Sequence, residues 1–242
     1  MRAANALGAI RFFRRMKPVP ETTSPLSYAA VIFDMDGLLV NTSAVWERPA
    51  QTLLASFGVE WTPQISELYR GMDARGVVTT LHRMFAPSCT LEACFAAYRT
   101  ALLAAYDTSP IAPLPGADRL LQALSGKRPL ALASGSPAQG IASVLARFGW
   151  TGHFTHIVSS EETATGAGKP APDVFLAAAE RLGVAPSKCL VIEDSLAGVQ
   201  AAAAAGMACY AVPSAMASEI RTRATQVFAS LDAIADTLPA LC

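Results

Sequence analysis

A chain of 242 residues can bury a substantial core without metals or disulfides to hold it, and it has room for one compact unit or a core with a second small domain. Lysine plus arginine and aspartate plus glutamate are both 19, a formal charge of +0, so no broad field draws the protein to nucleic acid or to an anionic bilayer. A small-molecule partner suits this balance better. The protein is expected to work in the cytoplasm as a monomer or weak dimer, with no nucleic-acid or membrane partner.

Residues 1–27 stand apart, because Arg2, Arg11, Arg14, Arg15 and Lys17 occur with no acid before Glu21. A targeting peptide can begin this way, but the apolar segment is short and no cleavage pattern is evident, so a basic, disordered extension is expected, with Met16 as an alternative initiator. From Tyr28 onward short apolar runs alternate with helical patterns. Strands are expected at Ala29–Phe33, Pro129–Ala133, His156–Ser159, Cys189–Ile192 and Ala208–Val212. Runs that are apolar throughout, rather than alternating, indicate parallel strands covered on both faces. Helices over Ala117–Leu124, Ala138–Phe148, Pro172–Leu182 and Ser195–Ala205 complete a doubly wound, Rossmann-like α/β sheet.

The spacing breaks once. Asn41 to Ser109 reads as all-helical, with segments around Val45–Phe57, Ile65–Tyr69, Gly76–Phe85 and Leu91–Tyr106, which is too much chain for a simple crossover. An inserted helical cap over residues 41–109 is therefore expected, within a core formed by residues 28–40 and 110–242. Pro110, Pro113, Pro115 and Gly116 mark the return to the sheet.

Ligands of open α/β sheets bind beyond the carboxyl ends of the strands, and four of the five runs end in reactive residue types. The first ends Asp34-Met35-Asp36-Gly37, two carboxylates at a turn that Gly37 allows to be tight. A lone Asp-Gly would be a polar turn, but paired acids repel, and a divalent cation relieves that repulsion. The second ends Ser134-Gly135-Ser136, where hydroxyls and amides either cap the next helix or hold a phosphate oxygen. After the third, Lys169 stands between Gly168 and Pro170 and can bind phosphate, although a loop lysine is ordinarily a solvated charge. The fourth ends Glu193-Asp194-Ser195; Asp194 could cap a helix, but with Asp34 and Asp36 on a neighbouring strand a shared cation is more economical, and oxygen ligands favour Mg²⁺ over zinc.

The five cysteines, Cys89, Cys94, Cys189, Cys209 and Cys242, form neither a CxxC pair nor a zinc spacing and are expected to be reduced, mostly buried thiols. Leu196 to Ser218 carries no charge, but it is dominated by alanine and interrupted by Gly198, Gln200, Gly206 and Pro213, so it reads as a helix followed by a strand rather than a membrane span.

Taken in order, Asp34-Met35-Asp36-Gly37, Ser134, Lys169-Pro170 and Glu193-Asp194 resemble the motifs of the haloacid dehalogenase superfamily. The stretches from Gly168 to Phe175 and from Ile192 to Gly198 resemble its β-phosphoglucomutase and phosphoglycolate phosphatase-like branch. The resemblance runs from about Ala29 to Val212. It implies a nucleophile at Asp34, a general acid/base at Asp36, phosphate contacts from Ser134, Gly135 and Lys169, and Mg²⁺ held by Asp34, the Asp36 main-chain carbonyl and Asp194, with Glu193 orienting a bound water. A small phosphorylated metabolite, a sugar phosphate or phosphoglycolate-like compound, would be the substrate. The cap would close over it, with Arg70, Arg75 and His82 as candidate cap contacts and Arg75 as a phosphate ligand.

Asn41 departs from the resemblance, since many relatives have Asp there. Dehalogenases lack the second acid of the first motif, so Asp36 argues against that reaction. Sugar-phosphate mutases keep the same core residues but usually have a histidine near the position of Trp46. Hydrolysis is therefore preferred, with mutase chemistry and a non-catalytic binding protein as alternatives.

Overall fold

The computed structural model describes residues 28–85, 87–213 and 218–237; the basic segment 1–27 lies outside them. Strand β1 (Ala30–Phe33) leads through a tight loop to β2 (Val40–Asn41), and four helices follow, α1 (Ser43–Ser56), α2 (Pro63–Glu67), α3 (Ala74–Phe85) and α4 (Leu91–Thr108). The chain returns through β3 (Ala112–Pro113) and then alternates through α5 (Ala117–Leu124), β4 (Leu130–Ser134), α6 (Ala138–Phe148), β5 (His156–Ser159), α7 (Asp173–Leu182), β6 (Cys189–Glu193) and α8 (Leu196–Ala204). It ends in β7 (Ala208–Ala211), α9 (Ser218–Arg223), β8 (Gln226–Val227) and α10 (Leu231–Thr237).

Six strands form one sheet in the order β5-β4-β1-β6-β7-β8, every pair parallel. From β1 the chain builds outward through β4 to β5, then crosses back to β6 and builds the other way. The order therefore reverses between β1 and β6, which is where an open sheet offers a crevice at its carboxyl end. Phe33 is in register with both Leu132 and Ile192, so the residues just after β1, β4 and β6 emerge side by side.

The fully apolar strands are explained by their two covered faces. Val31 and Phe33 of β1, Leu130 and Leu132 of β4, and Leu190 and Ile192 of β6 point into one core with α5, α6 and α10. Ala30 and Ile32, Ala131 and Ala133, and Cys189 and Val191 point to the other, against α7 and α8. This second core is built largely from alanine, including Ala178, Ala179, Ala201 and Ala202, and side chains this small let helix and sheet approach closely. The first core continues without interruption into the inserted helices through Leu39, Val40, Val45, Tyr98, Leu102 and Tyr106. β2 and β3 pair antiparallel where that insertion leaves and rejoins the sheet.

The structure corrects the expectation for the cysteines. Cys89, in the turn before α4, and Cys94, in its first turn, are joined by a disulfide, their Cα atoms 6.7 Å apart. A C-x₄-C spacing suggests no pairing until a turn folds it back. Cys189 and Cys209 are free and buried as expected, and Cys242 lies outside the described residues. Among the described residues no helix is long and apolar enough to cross a membrane. The apolar stretch after Leu196 is α8 followed by β7.

Candidate active site

The loop after β1 turns sharply, with Gly37 N–H donating to the Val40 carbonyl at 2.9 Å and the Leu39 and Val40 amides donating to the Met35 carbonyl. Met35 is driven into the core, and the acids on either side of it are thereby pushed out beyond the sheet. Gly37 has φ +84°, and a Cβ there would lie 2.4 Å from Asp194 Oδ2. Only glycine satisfies both demands, so this position lets the β1 and β6 loops converge.

Asp34, Glu193, Asp194 and Lys169 meet in that crevice, none of them more than 5% exposed. Lys169 Nζ donates to Asp34 Oδ1 at 2.5 Å and to Glu193 Oε1 at 2.6 Å, and it lies 4.8 Å from the centre of the Phe175 ring. Burial works against the lysine's charge, but the Asp34 and Glu193 carboxylates outweigh it and hold the ammonium above its ordinary pKa. Burial raises Asp34 as well. Lys169 opposes the rise, Glu193 and Asp36 add to it, and the carboxyl is pushed up to about 8. Asp194 is raised by burial, then by Glu193 and Asp34.

Oxygens of Asp34, Glu193 and Asp194 all lie within 4.8 Å of one another. Ionised together, the three buried acids would exceed the one buried lysine by two negative charges. Hard oxygen donors with an excess of that size fit a divalent ion such as Mg²⁺.

Glu193 is also held from its other side. Its Oε2 accepts from the amides of Asp194 and Ser195 at 2.8 and 2.9 Å and from Ser195 Oγ at 3.0 Å. Ser195, rather than Asp194, caps α8, its Oγ accepting from Gly198 N–H at 3.0 Å. At Gly198 a Cβ would fall 1.7 Å from Glu193 Oε1. Gly198→Ala should therefore destabilise the protein by about 1–3 kcal/mol or more in urea unfolding, as overpacking does, even though alanine is the better helix former. A neutral or stabilising result would show that Glu193 is not confined by α8.

Asp36 points the other way and is half-buried. Its Oδ1 accepts from Thr42 Oγ1 at 2.8 Å, Trp46 Nε1 at 3.0 Å and Tyr106 OH at 3.3 Å, and its Oδ2 accepts from Ser134 Oγ at 2.9 Å and Ser136 Oγ at 2.5 Å. Ser134 Oγ accepts in turn from Ser136 N–H. Neither serine caps α6, whose cap position is Pro137. Gly135 sits against the backbone of Asp73 from the loop before α3.

A cavity opens between these loops and the inserted helices, with Asp36 and Asp194 on one side and Trp46, Glu47, Tyr69 and Arg70 on the other. Of the expected cap contacts, only Arg70 reaches it, while also pairing with Glu67 at 2.6 Å. Arg75 is not brought to the centre. Its guanidinium pairs with Glu92 at 2.9 Å and stacks over Phe95 at 4.3 Å, so a neighbouring acid and ring on α4 claim it. His82 Nε2 is bonded to the Cys89 carbonyl. Asn41 Oδ1 accepts from Ser43 N–H at the start of α1.

The sequence reading did not single out Thr42 or Tyr106, and it treated Trp46 only as the place where mutases have histidine. A buried aromatic on a helix looks like core until its polar atom is seen to have a partner.

The model of the haloacid dehalogenase-like hydrolases matches residues 28–206. The fructose-1-phosphate phosphatase YqaB of Escherichia coli strain K12 is 32% identical over 184 residues, 74% of this chain and 94% of its own length. The bifunctional riboflavin kinase/FMN phosphatase of Arabidopsis thaliana is 35% identical over 212 residues, 87% of this chain, and the alignment spans only 53% of that longer relative. Among solved structures, CbbY from Rhodobacter sphaeroides in complex with phosphate superposes with a TM-score of 0.71 at 24% identity, covering 84% of this chain and 95% of the other. The β-phosphoglucomutase of Clostridium difficile gives 0.74 at 23%, covering 88% and 98%. At these identities the two structures show a shared fold.

Proposed function

The chain belongs to the haloacid dehalogenase-like hydrolases, and from that membership we propose that it is a Mg²⁺-dependent phosphatase acting on a small phosphorylated metabolite through an aspartyl-phosphate at Asp34. The observation that carries the proposal is the pairing of Asp34 with Lys169 in a buried cluster of acids at the crevice between β1 and β6. Asp34, the Asp36 main-chain carbonyl and Asp194 would hold Mg²⁺, whose charge, when bound, offsets that of the phosphoryl group.

The residues of the chain supply the rest. An Asp34 oxygen attacks phosphorus in line, forming the new O–P bond as the bond to the leaving oxygen breaks, and Asp36 gives that oxygen its proton. Water then attacks phosphorus, Asp36 takes its proton, and Asp34 is released as carboxylate with inorganic phosphate. Lys169 supplies positive charge beside the attacking carboxylate, Glu193 keeps the ammonium there, and Gly135, which lines the cavity, offers its backbone to the phosphoryl oxygens while the Ser134 hydroxyl is bonded to Asp36. Helices α1–α4 act as the cap that shuts water out during the first step.

Mutase chemistry is the second reading, favoured by the likeness to β-phosphoglucomutase. Trp46 speaks against it, because an indole offers one N–H and no lone pair; it can hold Asp36 but cannot pass a proton on. Fructose 1-phosphate, glycerol 3-phosphate, phosphoglycolate, FMN and β-glucose 1-phosphate, each with Mg²⁺ or with EDTA, make the deciding panel. Release of inorganic phosphate with Mg²⁺ and its loss in EDTA are expected. Conversion of β-glucose 1-phosphate to glucose 6-phosphate without phosphate release would replace the hydrolase reading with the mutase one.

A further inference from the structure

The five donors on Asp36 come from separate parts of the chain. Ser134 and Ser136 follow β4, Thr42 lies where the inserted helices begin, and Trp46 and Tyr106 belong to α1 and α4. The last of these, 70 residues from Asp36 in sequence, is the most distant donor that arrives from the insertion. Its hydroxyl lies 2.5 Å from Ser136 Oγ as well as 3.3 Å from Asp36 Oδ1, closing a triangle of phenol, serine and carboxylate.

Two features of the sequence are unfavourable unless this contact matters. A tyrosine that served only to fill space at 2% exposure would be better as phenylalanine, since a buried hydroxyl costs free energy unless it is bonded. Gly140 lies inside α6, where glycine weakens a helix, and a Cβ there would stand 2.6 Å from the Tyr106 ring. The glycine admits the ring, and the ring delivers the hydroxyl.

We propose that Tyr106 is a positioning residue for Asp36, its hydroxyl bridging Ser136 and the carboxylate so that a side chain of the inserted helices helps to aim the acid. The proposal rests on the reading of Asp36 as the acid. Tyr106 and Ser136 bring one hydroxyl proton each to the three sides of the triangle, so two sides are hydrogen-bonded at a time and Asp36 accepts from at least one of the pair in every arrangement. Hydroxyls rotate to suit, and in the Tyr106–Ser136 pair either oxygen can be the donor. The bridge can therefore hold Asp36 in more than one arrangement of the two hydroxyls without moving the ring.

Single-turnover rates for glycerol 3-phosphate and p-nitrophenyl phosphate in wild type, Tyr106→Phe and Asp36→Ala test this. An alkoxide leaving group needs a proton, whereas p-nitrophenolate departs with little help. Asp36→Ala should lose about 10²- to 10⁴-fold on the alkyl ester and much less on the aryl ester. Tyr106→Phe should show the same selectivity on a smaller scale, about tenfold on the alkyl ester and about threefold or less on the aryl ester, taking the lost aim as a part of the acid's contribution. Equal losses on both esters, or none, in Tyr106→Phe while Asp36→Ala remains selective would overturn the positioning role alone. A non-selective Asp36→Ala would overturn the acid assignment and this inference with it. If Tyr106→Phe melts far below wild type, Ser136→Ala cuts the same bridge from the sheet side and must show the same selectivity.

Discussion

Asp34→Asn is expected to fold like the wild type and to lose at least about 10⁴-fold in phosphate release, the scale on which removal of a nucleophile shows in covalent catalysis. An amide has the volume of the carboxylate without its charge, so the pocket keeps its shape and the attacking oxygen is gone. Stability should not suffer, because the substitution gives up one contact with Lys169 and relieves repulsion from Glu193 and Asp36, which together with burial push Asp34 up to about 8. Acid-quenched reactions with ³²P-labelled substrate should leave label on the wild type and none on Asp34→Asn. Turnover near the wild-type rate, or labelling of the variant, would remove Asp34 from the mechanism.

Lys169→Met should be the more damaging change to the fold. Lys169 Nζ is paired with both Asp34 and Glu193, with side-chain exposures of 1%, 7% and 0%. Methionine can fill the space against Phe175, but three acids would then be buried without the lysine. Breaking a buried ion pair from one side costs about 3–5 kcal/mol, which for a domain of this size lowers the melting temperature by about 6–20 °C. Scanning calorimetry in EDTA should show that deficit, and Mg²⁺ should narrow it, because a cation among the carboxylates restores part of the lost positive charge. Phosphate release should stay abolished in both conditions. A melting temperature in EDTA within about 2 °C of wild type would mean that the acids shed their charge at little cost, and the electrostatic account of the cluster would fail.

The residues singled out in the sequence lie together in the structure because the signals that mark them are short-range. An apolar run followed at once by Asp34-Met35-Asp36-Gly37, Ser134-Gly135-Ser136 or Glu193-Asp194 says that a strand has ended and that polar groups leave its carboxyl end. A parallel sheet then collects those ends on one edge. The inserted helices were legible for the same reason, as a stretch of helical periodicity too long for a crossover. The two-residue strands β2, β3 and β8 were not, because strands so short carry no periodicity of their own and exist only by pairing with a neighbour.

Local patterning therefore marks which residues stand at the mouth of the sheet. The packing of distant elements sets how they face one another: Glu193 is clamped between Lys169 and the first turn of α8, Gly37 and Gly198 are required by carboxylates packed against them, and Asp36 is gripped by Trp46, Tyr106 and Ser136. The same packing turns Arg75 to Glu92 and away from the cavity, and brings Cys89 to Cys94. The difference is one of range. Hydrophobic periodicity and turn chemistry act over a few residues and are written locally, whereas the partner of a long side chain is set by whichever group the packing of distant elements brings within about 3 Å of it.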